Sequence, residues 1–496
     1  MNTPDSGAKP TTVVIFGASG DLTQRKLIPA LYNNFKKQRL PQDIRIIGVA
    51  RRDWTDGFFR ERLRDGVRDN SAATYDDATW SALEGKLHYF QGNLDSAEDY
   101  GRLQAHLTAL ENGAADRLYY LATAPEYYGP ACGHLAAAGM NNDAGGQRSI
   151  IIEKPFGEDL ASAQALNEQV HAAFREHQVY RIDHYMGKET AQNILFLRFA
   201  NTLFEPVWNR RYVSNIQVTV AETVDVGHRA GYYDKAGVLR DMFQNHLLQL
   251  LALVAMEPPA SLNADAIRNE KAKVLGSIRP IHLDNTVRAQ YEGYRAAEGV
   301  APDSSTPTYA ALKLHIDNWR WKGVPFYLRS GKAMAERTST IIVEFQAPPD
   351  IMFKLGENRG FTPNMLSICI QPNEGMQLRF ETKVPDTVAE SHSVNMNFQY
   401  RDAFPGVILP DAYERLLLDA LKGDASLFAR SDEIEAAWRL IDPVLRGYEN
   451  SPEVSPVCGY PVGSWGPAEA DALLAREGHV WRSGCQSCGE GLCAIP

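Results

Sequence analysis

The first third of the chain alternates short β-rich runs with helical stretches, and this alternation constrains the fold more than any other feature. Six runs between residues 11 and 183 are rich in β-branched and aromatic residues: TTVVIFG, IRIIGVA, LHYFQGNL, DRLYYLATA, SIIIEKPF and VYRID. The stretches between them, such as ASAQALNEQVHAAFREH, place apolar residues every three or four positions, as a surface helix requires. Buried strands that alternate with helices indicate a parallel sheet covered on both faces. Residues 1–183 are therefore predicted to form a doubly wound α/β dinucleotide domain of the Rossmann type.

Beyond residue 184 long strand-like runs follow one another without intervening helices. RYVSNIQVTVAET and TSTIIVEFQ are two of them, and MLSICIQPNEGMQLRFETKV predicts a hairpin that turns at Asn373-Glu374-Gly375. Helical segments flank these runs, notably GVLRDMFQNHLLQLLALVAM and DEIEAAWRLIDPVL. We therefore expect residues 184–496 to form a larger α+β domain with a big, mostly antiparallel sheet.

The composition and charge of the chain exclude several classes of protein. Of its 496 residues, 44% are apolar and 23% are charged, which is typical of a globular protein and not of a disordered or repetitive one. The net charge of −10 has the wrong sign for a protein whose whole surface follows nucleic acid, so we expect no nucleic-acid partner. The N-terminus lacks a signal-peptide pattern, and the apolar run at 247–256 is too short to span a bilayer. These features predict a cytoplasmic protein with no membrane association.

The six cysteines fall into two groups. Cys132, Cys369 and Cys458 are scattered, and so low a count in a chain of this size suits a reducing compartment. The second group lies at the C-terminus and could bind a metal or be oxidised. No histidine or fourth cysteine beside it completes a set of zinc ligands, so we expect incidental thiols and no metal site. The members of this second group are Cys485, Cys488 and Cys493.

The first predicted strand runs directly into a glycine-containing turn, and a helical pattern follows. Backbone N–H groups at such a strand-to-helix turn approach the pyrophosphate of a dinucleotide. The GxxG spacing is weaker than the full GxGxxG signature and also fits an ordinary tight turn, but the βαβ alternation around it favours nucleotide binding. The residues predicted to contact the cofactor here are Gly17, Ser19, Gly20, Asp21 and Leu22.

The ends of the next strands predict which dinucleotide is bound. An NAD enzyme normally places a carboxylate for the ribose 2′-hydroxyl after the second strand, whereas this chain has Arg51 and Arg52. A guanidinium pairs with a 2′-phosphate, so NADP is predicted, the alternative being two solvated arginines. The third strand ends at Asn93-Leu94, which the same topology brings near the nicotinamide half. Lys154, after the fifth strand, is expected to point into the ligand crevice, although a surface lysine before a loop proline would be unremarkable.

Residues 181–189, RIDHYMGKE, collect hydrogen-bonding side chains at the predicted domain boundary, where strand gives way to loop. His184, Tyr185 and Lys188 offer three donors suited to a phosphate dianion. Asp183 beside them must instead face a positive group or a proton donor. The segment therefore predicts an anion-binding site with one carboxylate, that of Asp183, next to it.

A second polar set opens the apolar helix predicted from GVLRDMFQNHLL. On an α-helix Asp241 and Asn245 lie one turn apart, whereas His246 is displaced from Asp241 by about 140°. A single face of the α-helix would then not carry both Asp241 and His246, so a site that uses both side chains must extend around the helix. The alternative is a structural role for both residues: Asp241 is a carboxylate at the N-terminus of the helix, and His246 has its hydrogen bonds satisfied at the edge of the core.

Together these motifs resemble the glucose-6-phosphate dehydrogenase family. The resemblance covers nearly the whole chain, through GASGDLTQRKL, ARR, EKPFG, RIDHYMGKE, GYYDKAGVLRDMFQNHLLQLLAL and PFYLRSGKAMAER. It implies NADP-linked oxidation of β-D-glucose 6-phosphate to 6-phosphoglucono-1,5-lactone, the first step of the oxidative pentose phosphate pathway, and this chemistry needs no metal. It also implies homodimers or homotetramers built through the large sheet.

The same resemblance assigns roles to individual residues. His246 would be the general base, Asp183 the carboxylate that orients it, and Lys154 would lie between sugar and nicotinamide. Some members carry a second substrate-contacting lysine five positions beyond Lys332, where this chain has Arg337, so the charge is kept but the donor geometry changes. The phosphate would be bound by His184, Tyr185 and Lys188, and the sugar hydroxyls by Glu222, Asp241 and Lys332.

Two other functions remain open on the sequence. A dinucleotide domain followed by an EKP strand also resembles the glucose–fructose oxidoreductase group, so the substrate could be an unphosphorylated sugar. The chain could also be a non-catalytic NADP-binding regulator on the same scaffold. The combination of Asp183, His184, Lys188 and His246 argues against a regulator, because such a set serves proton transfer and anion binding.

Overall fold

A computed structural model describes residues 9–348, 362–387 and 390–484, and the cysteine-rich tail predicted above lies outside them. The chain forms two compact units, each assembled from separate stretches of sequence. Within the described ranges no helix has the length and apolar character needed to cross a membrane. The first unit contains Met1–Lys188, Pro259–Asn269 and Pro410–Glu435; the second contains Glu189–Pro258, Glu270–Leu409 and Ala436–Pro496. The predicted division at residues 183/184 stays a prediction.

The first unit is built on a six-stranded parallel sheet. Its strands are β1 Thr11–Phe16, β2 Ile44–Ala50, β3 Leu87–Gln91, β4 Asp116–Leu121, β5 Arg148–Ile152 and β6 Val179–Arg181. Their order is β3-β2-β1-β4-β5-β6, which is the doubly wound Rossmann order. Every residue of β1 and β5 is buried, as expected of strands covered on both faces. The predicted α/β fold is therefore confirmed.

Several helices begin where the sequence supplies a side-chain cap. Thr55, Asp76, Ser96 and Asp159 each accept a hydrogen bond from the backbone N–H three residues further on. The helices are α1 Ile28–Lys36, α2 Asp56–Asn70, α3 Asp77–Glu84, α4 Ala97–Glu111, α5 Tyr128–Ala137, α6 Leu160–Ala173, α7 Glu189–Phe199, α8 Ala230–Val238, α9 Leu248–Ala255, α10 Ala264–Gly276, α11 Tyr400–Ala403, α12 Ala412–Lys422, α13 Ser431–Asn450 and α14 Ala468–Ala475. Two further segments are π-helical, Thr23–Leu27 and Leu239–Leu247.

The second unit is built on a nine-stranded sheet. Its strands are β7 Val213–Ala221, β8 Thr286–Tyr291, β9 Tyr309–His315, β10 Pro325–Gly331, β11 Thr338–Phe345, β12 Met365–Gln371, β13 Gly375–Lys383, β14 Ser391–Gln399 and β15 Val457–Tyr460. The order is β14-β13-β12-β11-β7-β10-β9-β8-β15. Only the pairs β7–β10 and β8–β15 are parallel among these described strands, so the predicted large, mostly antiparallel sheet is confirmed. β12 and β13 form the predicted hairpin.

A buried ion pair stabilises the first unit beside β4. Arg117 on β4 donates from Nη2 to Glu111 Oε2 at 2.7 Å and from Nε to Glu111 Oε1 at 2.9 Å. Both side chains are almost fully buried, at 4% and 2% exposure. Removal of one partner would leave an uncompensated charge in the interior, which is far more costly than loss of a surface pair.

The cysteines depart from the sequence expectation at one position. Cys132 and Cys458 are free thiols, and burial raises the pKa of Cys132 to about 12. Cys369 on β12 is disulfide-bonded, which differs from the reducing compartment that the low cysteine count suggested. Burial keeps the Cys132 thiol protonated and unreactive at neutral pH.

Candidate active site

The turn after β1 has the geometry that a dinucleotide-binding turn requires. Gly17 adopts φ +81°, and a Cβ at this position would lie 2.2 Å from the carbonyl oxygen of Ala122, so only glycine fits. The N–H groups of Gly17 and Ala18 both donate to the carbonyl of Val49 at 2.9 and 3.1 Å. Helical structure begins at Asp21. The strand–turn–helix context predicted for the GxxG motif is therefore present.

The ends of β2 and β3 supply the other predicted cofactor positions. Arg51 and Arg52 directly follow β2 and are exposed. The Arg52 guanidinium lies 5.3 Å from the centre of the Trp54 ring, whereas no carboxylate in the described ranges forms an ion pair with Arg51. Asn93 and Leu94 line a cleft that also contains Phe16 and Val49. Asn93 and Leu94 lie at the carboxyl edge of the sheet, and the contact of Arg51 with a 2′-phosphate stays a prediction.

The loop after β5 holds Lys154 next to a carboxylate that the sequence analysis did not single out. Glu153 Oε1 accepts hydrogen bonds from the hydroxyls of Tyr120 at 2.5 Å and Tyr413 at 3.1 Å. Burial raises the pKa of Glu153, and the two tyrosine bonds and the Lys154 charge oppose that rise. Lys154 itself is half-buried. A carboxyl group fixed by two tyrosine hydroxyls therefore directly precedes the predicted ligand lysine.

The structure brings the predicted phosphate ligands of the first unit together. The carboxylate of buried Asp183 accepts the backbone N–H of Tyr185 at 2.9 Å, which closes a tight turn. The rings of His184 and Tyr185 lie 5.0 Å apart, and Lys188 Nζ lies 4.7 Å from the centre of the Tyr185 ring. The side chains of His184, Tyr185 and Lys188 therefore lie next to one another, and their role as phosphate donors stays a prediction.

A second set of polar side chains gathers in the second unit, at the ends of two parallel strands. Glu222 follows β7, Lys332 follows β10, and their side chains form an ion pair of 2.7 Å. Lys332 Nζ also lies 5.0 Å from the centre of the Tyr233 ring on α8. Burial, with the nearby charge of Asp241 next in effect, holds the pKa of Tyr233 well above its usual range. Glu222, Lys332 and Asp241 therefore share one polar environment.

The helix that carries Asp241 and His246 corrects the sequence prediction. It is π-helical over Leu239–Leu247, not α-helical, and it starts after Gly237, whose φ of +64° and ψ of 171° interrupt α8. In a π-helix the hydrogen bonds join residues five apart, so such residues stack as residues four apart do in an α-helix. Asp241 and His246 therefore lie on one side of the helix, and the predicted displacement of about 140° is wrong. His246 is 1% exposed.

Arg337 forms no ion pair with this set in the described part of the chain. It is exposed and directly precedes β11. Between Lys332 and Arg337 the chain turns at Ala333, which has φ +51°. The role of Arg337 in substrate binding stays a prediction.

Comparison with known families agrees with this arrangement along both units. The model for the NAD binding domain of glucose-6-phosphate dehydrogenase matches residues 14–193, and the model for its C-terminal domain matches residues 195–482. The chain belongs to the glucose-6-phosphate dehydrogenase family.

Curated relatives and solved structures extend the match over nearly the whole chain. The glucose-6-phosphate 1-dehydrogenase of Aggregatibacter actinomycetemcomitans is 46% identical over 492 residues, which cover 95% of this chain and 97% of the relative. That of Mycolicibacterium smegmatis is 42% identical and covers 98% and 100%. A solved glucose-6-phosphate dehydrogenase in complex with glucose-6-phosphate matches with a TM-score of 0.89 at 35% identity, covering 96% of this chain and 99% of that one. The enzyme from Mycobacterium avium gives a TM-score of 0.85 at 36% identity, covering 97% and 99%.

Three features of this member of the glucose-6-phosphate dehydrogenase family escaped the sequence reasoning. Glu153 lies in the EKPFG motif, from which only the lysine is predicted to contact a ligand. Tyr120 and Tyr413 had no local signal, because their common partner is 33 residues away from one and 260 from the other. The glycine at 237 was the one available signal for a break before the π-helix.

Proposed function

We propose that His246 is the general base and Asp183 its orienting carboxylate in the oxidation of D-glucose 6-phosphate at C1. The chain is an NADP-dependent oxidoreductase of the glucose-6-phosphate dehydrogenase family, and its product is 6-phospho-D-glucono-1,5-lactone, in the first step of the oxidative pentose phosphate pathway. The observation that carries the assignment is the match over 96% of the chain to a glucose-6-phosphate dehydrogenase in complex with that substrate.

The residues of the first unit fit NADP. Gly17 lets the turn after β1 pack closely against the Ala122 carbonyl, and we assign Gly17, Ser19, Gly20, Asp21 and Leu22 to the contact with the pyrophosphate at the start of the following helix. Arg51, exposed after β2, pairs with the 2′-phosphate, while Asn93 and Leu94 contact the nicotinamide half. The bound cofactor supplies the hydride acceptor. The remaining demands on the protein are therefore to hold the sugar and to move one proton.

The proton leaves the C1 hydroxyl as the hydride leaves the carbon. A neutral imidazole at His246 accepts this proton, and a carboxylate that fixes its tautomer stabilises the imidazolium that forms. Such general base catalysis contributes about 10² to 10⁴ in rate. The burial of His246 and Asp183, at 1% and 3% exposure, supports these roles, because solvent then does not compete for the proton.

The substrate is held at both ends in this proposal. His184, Tyr185 and Lys188 bind the phosphate, since their side chains lie next to one another. Glu222 and Lys332, paired at 2.7 Å, offer an acceptor and a donor to sugar hydroxyls. Asp241 joins them, Lys154 lies between sugar and nicotinamide, and Arg337 adds positive charge at the rim. Binding of the remote phosphate then fixes C1 for hydride transfer.

We further propose that the chain forms a homodimer or homotetramer joined through the large sheet. In this proposal the chain works in the cytoplasm, and its two domains comprise residues 1–183 and 184–496. Partial exposure along β13 supports the interface, because a strand inside a sheet is normally covered on at least one face. Light scattering coupled to gel filtration tests the assembly: a monomer at micromolar concentration would contradict it.

Steady-state NADPH absorbance tests the reaction. Glucose 6-phosphate and free glucose are compared with NADP and with NAD; turnover with the phosphorylated sugar and NADP is expected to be the highest. His246→Asn is expected to lower kcat by about 10² to 10⁴ while NADP binding is unchanged. His228→Asn, at an exposed histidine of the same unit, is the control and keeps full activity. Near-normal turnover of the His246 variant would exclude the proposed base, and equal turnover of free glucose would exclude the phosphate site.

A further inference from the structure

Glu153 is held in place by hydroxyl groups from two different elements of the first unit. Tyr120 lies on β4 and is fully buried, and Tyr413 lies on the first turn of α12. Both hydroxyls donate to the same oxygen, Glu153 Oε1, at 2.5 and 3.1 Å. Two donors on one carboxylate oxygen fix the side chain in direction as well as in place, because each bond constrains a different lone pair.

α12 is itself held rigidly in the first unit, so Tyr413 is not a mobile contact. The helix begins with a capping box in which the Asp411 side chain accepts a backbone N–H and the Glu414 side chain accepts the backbone N–H of Asp411. Asn34 Nδ2 donates to the Glu414 carbonyl at 2.8 Å, and Asn33 Nδ2 to the Glu414 carboxylate at 2.9 Å. Lys26 forms an ion pair of 2.8 Å with Asp411. The N-terminus of α12 is therefore anchored to α1 and to the π-helical turn before it.

The position of Glu153 in the chain gives this network a consequence for ligands. Glu153 directly precedes Lys154 at the carboxyl end of β5, and ligands of doubly wound sheets bind at that edge. Constraint of the Glu153 side chain also constrains its backbone, which is the starting point of the Lys154 side chain. The same helix α12 also packs against Gly187 in the predicted phosphate segment through Ala412.

We propose that Glu153, held by Tyr120 and Tyr413, is a positioning residue that directs Lys154 toward the sugar and the nicotinamide. The inference rests on the proposed function, in which Lys154 contacts both ligands. Glu153 acts through Lys154 and needs no contact of its own with substrate. Its removal should therefore impair hydride transfer while leaving the pyrophosphate and 2′-phosphate contacts of the cofactor intact.

The first experiment removes single hydroxyl groups. Tyr413→Phe and Tyr120→Phe are expected to lower kcat about tenfold with the Kd for NADP unchanged, and to lower the thermal midpoint by a few degrees, because each change removes a donor from the Glu153 carboxylate. Tyr119→Phe is the matched control: it removes a buried hydroxyl from the adjacent residue of β4, which donates to the Met140 carbonyl at 2.8 Å instead. A kcat that is unchanged in Tyr413→Phe, or lowered equally in Tyr119→Phe, would overturn the proposal.

The second experiment asks whether Glu153 acts through Lys154. Glu153→Gln keeps an acceptor for both tyrosines and should retain more kcat than Glu153→Ala, which keeps none. In a Lys154→Met background the Glu153→Ala change should add little to the loss, because the group that it positions is already absent. Fully additive losses would overturn the proposal. Failure of the proposed function itself is seen separately, as a wild-type chain that reduces no NADP with glucose 6-phosphate.

Discussion

Gly237 separates α8 from the π-helical segment that carries Asp241 and His246, and its replacement by alanine tests whether this junction positions the proposed base. Its φ of +64° and ψ of 171° fall in a region that is almost exclusive to glycine. A residue with a Cβ held there is strained by about 1–3 kcal/mol. The new Cβ would also lie 3.1 Å from Thr306 Cγ2, close enough that the threonine must shift. The alanine variant is therefore expected to relieve strain by moving the start of the π-helix.

Both stability and catalysis should report this movement. At about 2–4 °C for each kcal/mol in a large unit, the strain predicts a thermal midpoint lower by several degrees, measurable by circular dichroism. A displacement of about 1 Å at the base costs up to about 10²-fold in rate, so kcat is expected to fall by about 10-fold to 100-fold. The Kd for NADP, measured by fluorescence, should not change, because the predicted cofactor residues belong to the first unit.

Gly231 in the same helix α8 provides the matched control. Its Cβ would meet Gly299 at ordinary contact distances, 3.5 Å to the carbonyl oxygen and 4.0 Å to Cα, and alanine is favoured over glycine in helices by about 1 kcal/mol. Gly231→Ala should therefore keep full kcat with an unchanged or higher midpoint. If Gly237→Ala behaves in the same way as Gly231→Ala, the junction does not position the base and the reasoning fails.

Three further changes test other parts of the molecule. Arg51→Ala should raise the Kd for NADP about tenfold and leave the Kd for NAD unchanged in fluorescence titrations, since only NADP has a 2′-phosphate; equal losses for both would contradict the assignment. Glu111→Ala leaves the buried charge of Arg117 without its partner and should lower the free energy of unfolding by about 3–5 kcal/mol in denaturant titrations, whereas an unchanged midpoint would show that water reaches the site. The pKa of Asp76 is lowered from 3.8 to about 2, first of all by its bond to Lys36. Because the folded pKa lies below the unfolded one, the stabilisation is present above pH 4 and is lost as the pH falls toward 2, so Asp76→Asn should differ from wild type in thermal midpoint at neutral pH and converge with it in acid; a constant difference would refute the linkage.

Much of the fold could be read from local patterns because the physical cause of each element is itself local. The apolar runs that became β1, β2, β4, β5 and β6 are almost entirely buried, so they carry a continuous hydrophobic signal, whereas β3 is only partly covered. The hairpin of β12 and β13 follows from its predicted turn at Asn373-Glu374-Gly375, of which Gly375 begins β13. The five strands of the second unit that were not singled out include β15, which is four residues long, and β14, whose residues are largely polar and only partly covered. Such strands depend on pairing with neighbours more than on their own composition.

The sequence by itself determined the chemistry that is available: a glycine at 17 where no side chain fits, an arginine in place of a carboxylate at 51, and the three donors of RIDHYMGKE within five residues. Tertiary structure alone decided two matters. It placed Tyr413 next to Glu153, from which it is 260 residues away in the sequence, because the docking of α12 on α1 brings the two ends of this long segment together. It also selected π-helical hydrogen bonding around Asp241, because the choice between partners four and five residues away is made by packing against the neighbouring elements and leaves no period in the sequence.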